Sequence, residues 1–354
     1  MKKICIVGAG IFGCTIALRL SENKNYLIDI IEKNDDIMNG VTMKNQQRFH
    51  LGYHYPRSQK TINEIKNSYK NFIKFYGNKI FGNTINLYGI SNVKSKLTFL
   101  NYIKKLKKSE LSIKHNKSLD IFTDLVENSI LTDEKILNYF KFKKNVRSKI
   151  FSKKNINLKL GHSFKKDVYD SYDKIILCTY SNNNELLKKF NITKIPKMSY
   201  ELVEKIIIEL PKKFKKISAV ILDGNFLNFD PYIGTKFHLL SVVTKSKIEI
   251  IQNKFPLFKN KKKYLIEKKN HNSIHISNFK NFIIEGKKYV PILSKAKYIN
   301  SFYTVRCTNI DKNSHNRTNE IKLYNDKIIT VLSGKWNTCV NVANDIYKII
   351  NSND

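Results

Sequence analysis

The chain has 354 residues, 42% of them hydrophobic, which is enough for two units that each bury a core. Its formal net charge is +35, from 64 Lys and Arg against 29 Asp and Glu, yet only six of the basic residues are arginine: Arg19, Arg48, Arg57, Arg147, Arg306 and Arg317. Lysines spread through nearly every segment, with abundant Asn, Ile, Tyr and Phe, point to an A/T-rich coding bias. This argues against a specific nucleic-acid surface, which favours clustered arginine, and leaves only salt-sensitive attraction to anions.

Residues 3–7, Lys-Ile-Cys-Ile-Val, have strand chemistry and feed Gly8-Ala9-Gly10-Ile11-Phe12-Gly13, a G-x-G-x-x-G turn opening a helix through Leu20. A second apolar run, residues 26–31, ends in Glu32, 19 residues after Gly13. Gly8 makes the tight turn, Gly10 lets the backbone approach a pyrophosphate, and Gly13 lets the helix pack close to the strand. The pyrophosphate then meets the positive end of the helix dipole, and Glu32 accepts hydrogen bonds from the adenosine ribose. Lys2 and Lys3 before an apolar run also fit a secretory leader, but three glycines and Arg19 interrupt that run. No other segment is long and apolar enough to span a bilayer, and the five cysteines (Cys5, Cys14, Cys178, Cys307, Cys339) are scattered. A cytoplasmic chain is expected, with peripheral membrane contact and oligomeric state left open.

Residues 39–57, dense in Gly, Asn, Gln, His and Tyr, read as an extended active-site loop. Residues 58–76 have helical spacing, 86–93 strand character, and 96–106 and 134–142 helical character. Residues 155–164 and 173–178 read as strands, the second apolar on both faces and therefore central. It runs into Cys178-Thr179-Tyr180-Ser181-Asn182, a polar turn at a strand's carboxyl end, where ligands dock on such sheets. From Tyr200 the pattern changes: 201–210, 219–222, 226–229 and 236–243 read as successive antiparallel strands, broken at Asp223-Gly224 and Asp230-Pro231. Asp223 and Asp230 are read as turn formers. The lysine-rich stretch 259–272 is expected to be exposed. Residues 291–298 read as a helix, 302–306 and 327–332 as strands, and 337–350 as a closing helix.

Three stretches together resemble one family. The first is the glycine turn with Glu32. The second is Asn45-Gln46-Gln47-Arg48-Phe49-His50-Leu51-Gly52-Tyr53-His54-Tyr55-Pro56-Arg57-Ser58, and the third is Val305-Arg306, then Arg317, then Ser333-Gly334-Lys335-Trp336-Asn337-Thr338. The chain resembles the D-amino-acid-oxidase-like flavoproteins, which include flavin-linked glycerol-3-phosphate and L-2-hydroxyglutarate dehydrogenases. Two departures stand out: Tyr180 replaces a glycine of the Ala-Thr-Gly turn, and Ser333 replaces the first glycine of the C-terminal turn.

The resemblance implies an α/β chain, with a Rossmann-like FAD-binding domain (residues 1–80, 145–195 and 295–354). An inserted, mainly antiparallel α+β substrate or cap domain (81–144 and 196–294) interrupts it. It implies FAD as cofactor, contacted by Gly8, Gly10, Ile11, Phe12, Gly13, Glu32, Lys33, Asn45, Arg48, His50 and Thr179. The C-terminal turn Gly334, Lys335, Trp336, Asn337 and Thr338 completes that set.

Hydride transfer to a flavin asks the protein for orientation, an anion clamp and a proton acceptor. Arg306 and Arg317 are the expected clamp for a small anionic substrate, since a guanidinium holds a carboxylate or phosphate bidentately. His50 is the expected proton acceptor, with His54 a weaker choice. Lys335 places a positive charge near the flavin. No metal is expected, because no carboxylate or thiolate stands at ligand spacing from His50 and His54. Cys307 reads as a buried, inert thiol. The activity expected is oxidation of a C–N or C–OH bond. A flavin-dependent sugar or nucleotide-sugar mutase without net redox change is the alternative, and a lysine-rich binding protein the third reading.

Overall fold

The computed structural model describes residues 1–116, 120–224, 226–266, 272–310 and 319–352. Two large sheets organise the described chain, beside a two-stranded pairing of Arg48–Phe49 with Lys135–Ile136. The smaller of the two has six strands in the order Glu320–Leu323, Ile328–Leu332, Lys174–Leu177, Lys2–Val7, Tyr26–Glu32 and Ile156–Leu160. All its pairings are parallel except the one between Glu320–Leu323 and Ile328–Leu332. Parallel strands need covered faces. One face carries the helices Ile11–Leu20, Tyr139–Phe151 and Cys339–Asn351, joined in a cluster with Ile4, Ile6, Ile28 and Ile30. The strand Lys174–Leu177 lies inside the sheet, as its apolar faces required.

The larger sheet draws on both halves of the chain. Met198–Glu209 pairs with Lys247–Asn253 and His238–Val242, and antiparallel with Lys297–Asn309 along its full length. From His238–Val242 the order runs through Leu227–Pro231, Ile217–Leu222, Ile85–Ser91 and Val126–Thr132 to Lys114–His115. The expected antiparallel succession holds from Ile217–Leu222 through Leu227–Pro231 to His238–Val242; it fails before that, because Ile217–Leu222 lies parallel to Ile85–Ser91 and not against Met198–Glu209. At the turn after Leu222, φ is 61° at Asp223 and 57° at Gly224, the left-handed pair that such a turn requires. Asp230-Pro231 does not break a strand. Both residues lie in Leu227–Pro231, where Pro231 occupies the strand end that tolerates it.

One face of this sheet is sealed by the helix Phe279–Gly286 and the turn Pro291–Lys295, through Phe282, Val290 and Leu293 on Ile206, Phe229 and Leu240. The other face looks toward the smaller sheet, because Ile207, Leu239 and Phe302 join the same cluster as Met38 and Phe49. Three expected elements are corrected here. Glu134 precedes its helix, which begins at Tyr139 once the Asn138 side chain caps it through Lys141 N at 3.0 Å. Residues 291–298 form only one tight turn, because strand pairing begins at Lys297. The strand Lys297–Asn309 belongs to the larger sheet, so the proposed boundary between nucleotide and cap units moves past it.

Candidate active site

A cavity of about 620 Å³ opens at the carboxyl ends of Lys2–Val7 and Lys174–Leu177. Gly8 has φ 102°, and a Cβ there would lie 2.8 Å from the Cys178 carbonyl oxygen. A Cβ on Gly13 would lie 1.9 Å from the Gly8 carbonyl oxygen, so these two glycines serve the protein's own packing. Gly10 differs: its added Cβ would meet only Thr42 Oγ1, at 3.5 Å, and it faces the cavity. The fold itself does not demand a glycine at position 10; a ligand pressed against that backbone would. The buried Glu32 borders the same space, accepting from Ala9 N at 2.8 Å through one oxygen and Asn34 N at 2.9 Å through the other. Asn34 Nδ2 also donates to that second oxygen, at 2.6 Å, so it is the oxygen facing Ala9 that keeps a further lone pair for a ligand hydroxyl. Ile11, Phe12, Lys33, Asn45, Thr179, Gly334 and Trp336 also line the cavity.

At the far end the lining passes to Lys44, Asn45, Thr304 and the C-terminal turn. Ser333 holds that turn, its hydroxyl bonding Lys335 O at 3.1 Å, so the residue that replaces a glycine acts as a local clasp. Thr338 Oγ1 donates to Lys335 O at 2.8 Å, and Asn337 Nδ2 donates to His50 O at 3.4 Å. The buried Lys335 ammonium lies 4.5 Å from the centroid of the Tyr55 ring, and that ring packs edge-on against His50 at 5.7 Å. Gly13, Arg48, His50, Lys335, Asn337 and Thr338 thus stand behind or beside the lining, not in it.

Tyr180 also lines the cavity, with φ 56°, a backbone state costly for a bulky residue. Its hydroxyl donates to Cys307 O at 3.0 Å and accepts from Cys307 N at 3.1 Å. A side chain from the smaller sheet thereby completes the hydrogen bonding of the edge strand Lys297–Asn309. Cys307 is buried, with its thiol pushed up to about 12, as an inert thiol should be.

Behind the loop lies a charged network that the sequence did not reveal. Arg48, expected among the cofactor contacts, is instead fully buried. Its guanidinium bonds Glu134 Oε2 at 3.0 Å and also reaches Asp230 Oδ1 and the Ser218 hydroxyl. Asp230 is therefore not a turn former but a buried strand residue. Glu134 accepts also from Tyr88 OH at 2.6 Å and Leu51 N at 3.0 Å, and stands 3.5 Å from His50 Nδ1. Burial pushes its carboxyl up, but His50, Arg48 and the Tyr88 hydrogen bond outweigh that and hold it at about 2. Glu134 lies 86 residues from Arg48 and Asp230 lies 182 away, so no local motif could have flagged them.

Arg306 sits on the inward face of its strand directly opposite Glu201, with Nε 3.0 Å from Glu201 Oε2, while Lys247 takes the other oxygen at 2.9 Å. Arg317 lies outside the described residues. The lysine-rich stretch is exposed at most of its described residues, and Lys261, Leu265 and Ile266 also reach the cavity rim. Lys205, on the same inward face as Arg306, is a further charged group that the sequence reading passed over among so many lysines.

Residues 3–99 match the model of a family described as FAD dependent oxidoreductase. Over 74 residues, 21% of the chain, the sequence is 34% identical to FAD-dependent monooxygenase kojA of Aspergillus flavus; the match spans 17% of that relative's length. The probable FAD-dependent monooxygenase kojA of Aspergillus oryzae matches to the same extent. The whole fold is similar to that of L-proline dehydrogenase from P. horikoshii, with TM-score 0.73, 13% identity, and 100% of this chain and 94% of that one covered. Glycine oxidase from Geobacillus kaustophilus gives 0.71 at 8% identity over 99% and 95% of the two chains. NikD, an unusual amino acid oxidase essential for nikkomycin biosynthesis, gives 0.68 at 11% over 97% and 94%.

Proposed function

We propose that this chain, a D-amino-acid-oxidase-like protein by its fold and by its match to FAD dependent oxidoreductases over residues 3–99, oxidises a C–N or C–OH bond of a small anionic substrate. The observation that carries the reading is the cavity that starts at Gly10 and Glu32 and ends at Trp336 under the Thr304 wall. It fits FAD: a backbone cradle that no protein group fills, a buried carboxylate for ribose hydroxyls, and a distant turn with a buried lysine. Gly10, Ile11 and Phe12 hold the pyrophosphate at the helix N-terminus, Glu32 and Lys33 flank the adenosine, and Asn45, Thr179 and the 334–338 turn border the remainder.

When bound, FAD supplies the two-electron acceptor. The chain's own groups do the rest. Arg306, on the sheet wall, attracts and orients the substrate's acidic group. The Lys335 ammonium holds positive charge beside the Gly334–Trp336 lining. His50, steadied by the Glu134 carboxylate at 3.5 Å, accepts the proton lost from the substrate's nitrogen or oxygen. The family match supports a redox reaction over the sugar-mutase alternative.

The test is direct. Purified protein is expected to be yellow, and mass analysis of the ligand released on denaturation should give FAD. Gly10→Val should lose the cofactor while remaining folded. Anaerobic mixing with amino, imino and hydroxy acids should bleach the flavin for one of these classes. A colourless protein that binds NADH would overturn the reading.

A further inference from the structure

The inward wall of the larger sheet carries a cation that no described residue neutralises. Lys205 lies opposite Phe302 in the pairing of Met198–Glu209 with Lys297–Asn309. Alternation along paired strands sets Lys205 on one face with Glu201, Thr304 and Arg306. Ile207 and Phe302, on this same face, pack with the nucleotide unit, so the face looks toward the smaller sheet and not onto the sealed side; Lys205 and Arg306 flank the 303–305 stretch that lines the cavity and are not themselves in its lining. Of the neighbouring charges, Arg48 is held by Glu134 and Asp230, while the single Glu201 carboxylate is shared by two cations, Arg306 and Lys247, which leaves positive charge in excess on this face. Among the described residues no hydrogen bond or ion pair reaches the Lys205 ammonium.

That is a costly arrangement. Burial pulls the Lys205 ammonium down to about 8, Asp230 opposes this, and the repulsion of Arg306 adds to it. Asp230 does not close the gap: its Oδ1 serves Arg48 and Ser218, and its Oδ2 is buried with no hydrogen bond. An unpaired, partly buried lysine is disfavoured unless an anion joins it for part of the working cycle. Lys205 stands four residues along its strand from the level of Arg306, roughly 13 Å at ~3.3 Å per residue. The two long side chains can reach toward each other from that separation.

We propose that Lys205 is a specificity-determining residue that receives a second acidic group of the substrate, so that the substrate is a diacid held between Arg306 and Lys205. The inference rests on the reading of this site as one that oxidises a small anion. Arg306 takes the acidic group next to the reacting carbon, and Lys205 takes a carboxylate or phosphate at the other end of a short chain.

Succinate and butyrate, of equal chain length, separate the ideas. Each is titrated into the yellow holoprotein, following the flavin absorbance and the heat of binding, for the wild type, Lys205→Met and Lys205→Arg. The wild type should bind succinate at least about tenfold more tightly than butyrate. Lys205→Met should lose that preference while binding butyrate unchanged, and Lys205→Arg should retain it. Retained flavin colour reports that each variant is folded. Butyrate binding with no advantage for succinate, or an advantage that survives in Lys205→Met, overturns the role of Lys205 alone. If neither acid perturbs the wild type, the anionic-substrate reading falls, and the inference with it.

Discussion

The two ends of the cavity are built from different materials. At the glycine end the contacts are backbone amides, one carboxylate and close approaches within the first βαβ unit and to the Cys178 carbonyl beside Gly8. At the sheet wall they are charged side chains from strands distant in the chain, resting on a buried network of Arg48, Glu134, Asp230, Ser218 and Tyr88. The first end can only accept one shape, since its geometry is set by steric exclusion around Gly8 and Gly13. The second is defined by charge, so it sets what is bound and how strongly, and it responds to pH. Substitutions at the first end should act on cofactor retention, and those at the second on stability and substrate choice.

The most severe way to break the wall is Arg48→Met. It leaves Glu134 and Asp230 buried without their shared cation, which should cost about 3–5 kcal/mol in denaturant unfolding. A loss under ~1 kcal/mol would mean that the network is not what joins the loop to the sheet.

Acid should break the same network. Glu134 falls from 4.5 to about 2 on folding, so its contribution is complete above the unfolded value and is lost as pH drops from there toward 2. The size is about 3 kcal/mol, read as the slope of stability against pH. Glu134→Gln should flatten that slope, and an unchanged slope would transfer the acid sensitivity elsewhere.

A subtler change sharpens the comparison. Arg306→Lys keeps the charge but loses the planar fork, so flavin reduction by substrate should slow by about tenfold, roughly 1.4 kcal/mol, with flavin content unchanged. Equal rates would remove Arg306 from the site. The smallest effect is expected where the two ends meet: Tyr180→Phe removes both hydrogen bonds to Cys307 and should cost about 1 kcal/mol. Because those bonds anchor the strand that carries Arg306, substrate affinity should weaken in parallel. A stability loss with unaltered affinity would make the contact purely structural.

The arginines show how far rarity can be read. Each of the five that are described faces a carboxylate: Arg19 with Glu22, Arg48 with Glu134 and Asp230, Arg57 with Asp223, Arg147 with Asp36, and Arg306 with Glu201. In a lysine-biased chain arginine persists where its planar fork has a carboxylate to grip, which is more often architecture than substrate recognition. Lys205, by contrast, is hidden by composition among the many other lysines.

What the amino-acid order decided on its own is the nucleotide unit: the strand, glycine turn, helix, second strand and Glu32 all lie within a short stretch. The steric rule at Gly13 acts through Gly8, a near neighbour, so it is visible in one dimension, whereas the Cys178 carbonyl that crowds Gly8 arrives only with the sheet. The wall was decided only by tertiary structure. Strand alternation tells which residues share a face, but not which strand arrives opposite. The parallel pairing of Ile85–Ser91 with Ile217–Leu222, and the long partnership of Met198–Glu209 with Lys297–Asn309, are what bring Arg48 to Asp230, set Arg306 opposite Glu201 and put Lys205 on the same face. Electrostatic partners at such separations are chosen by the packing of whole sheets, a property that no local spacing records.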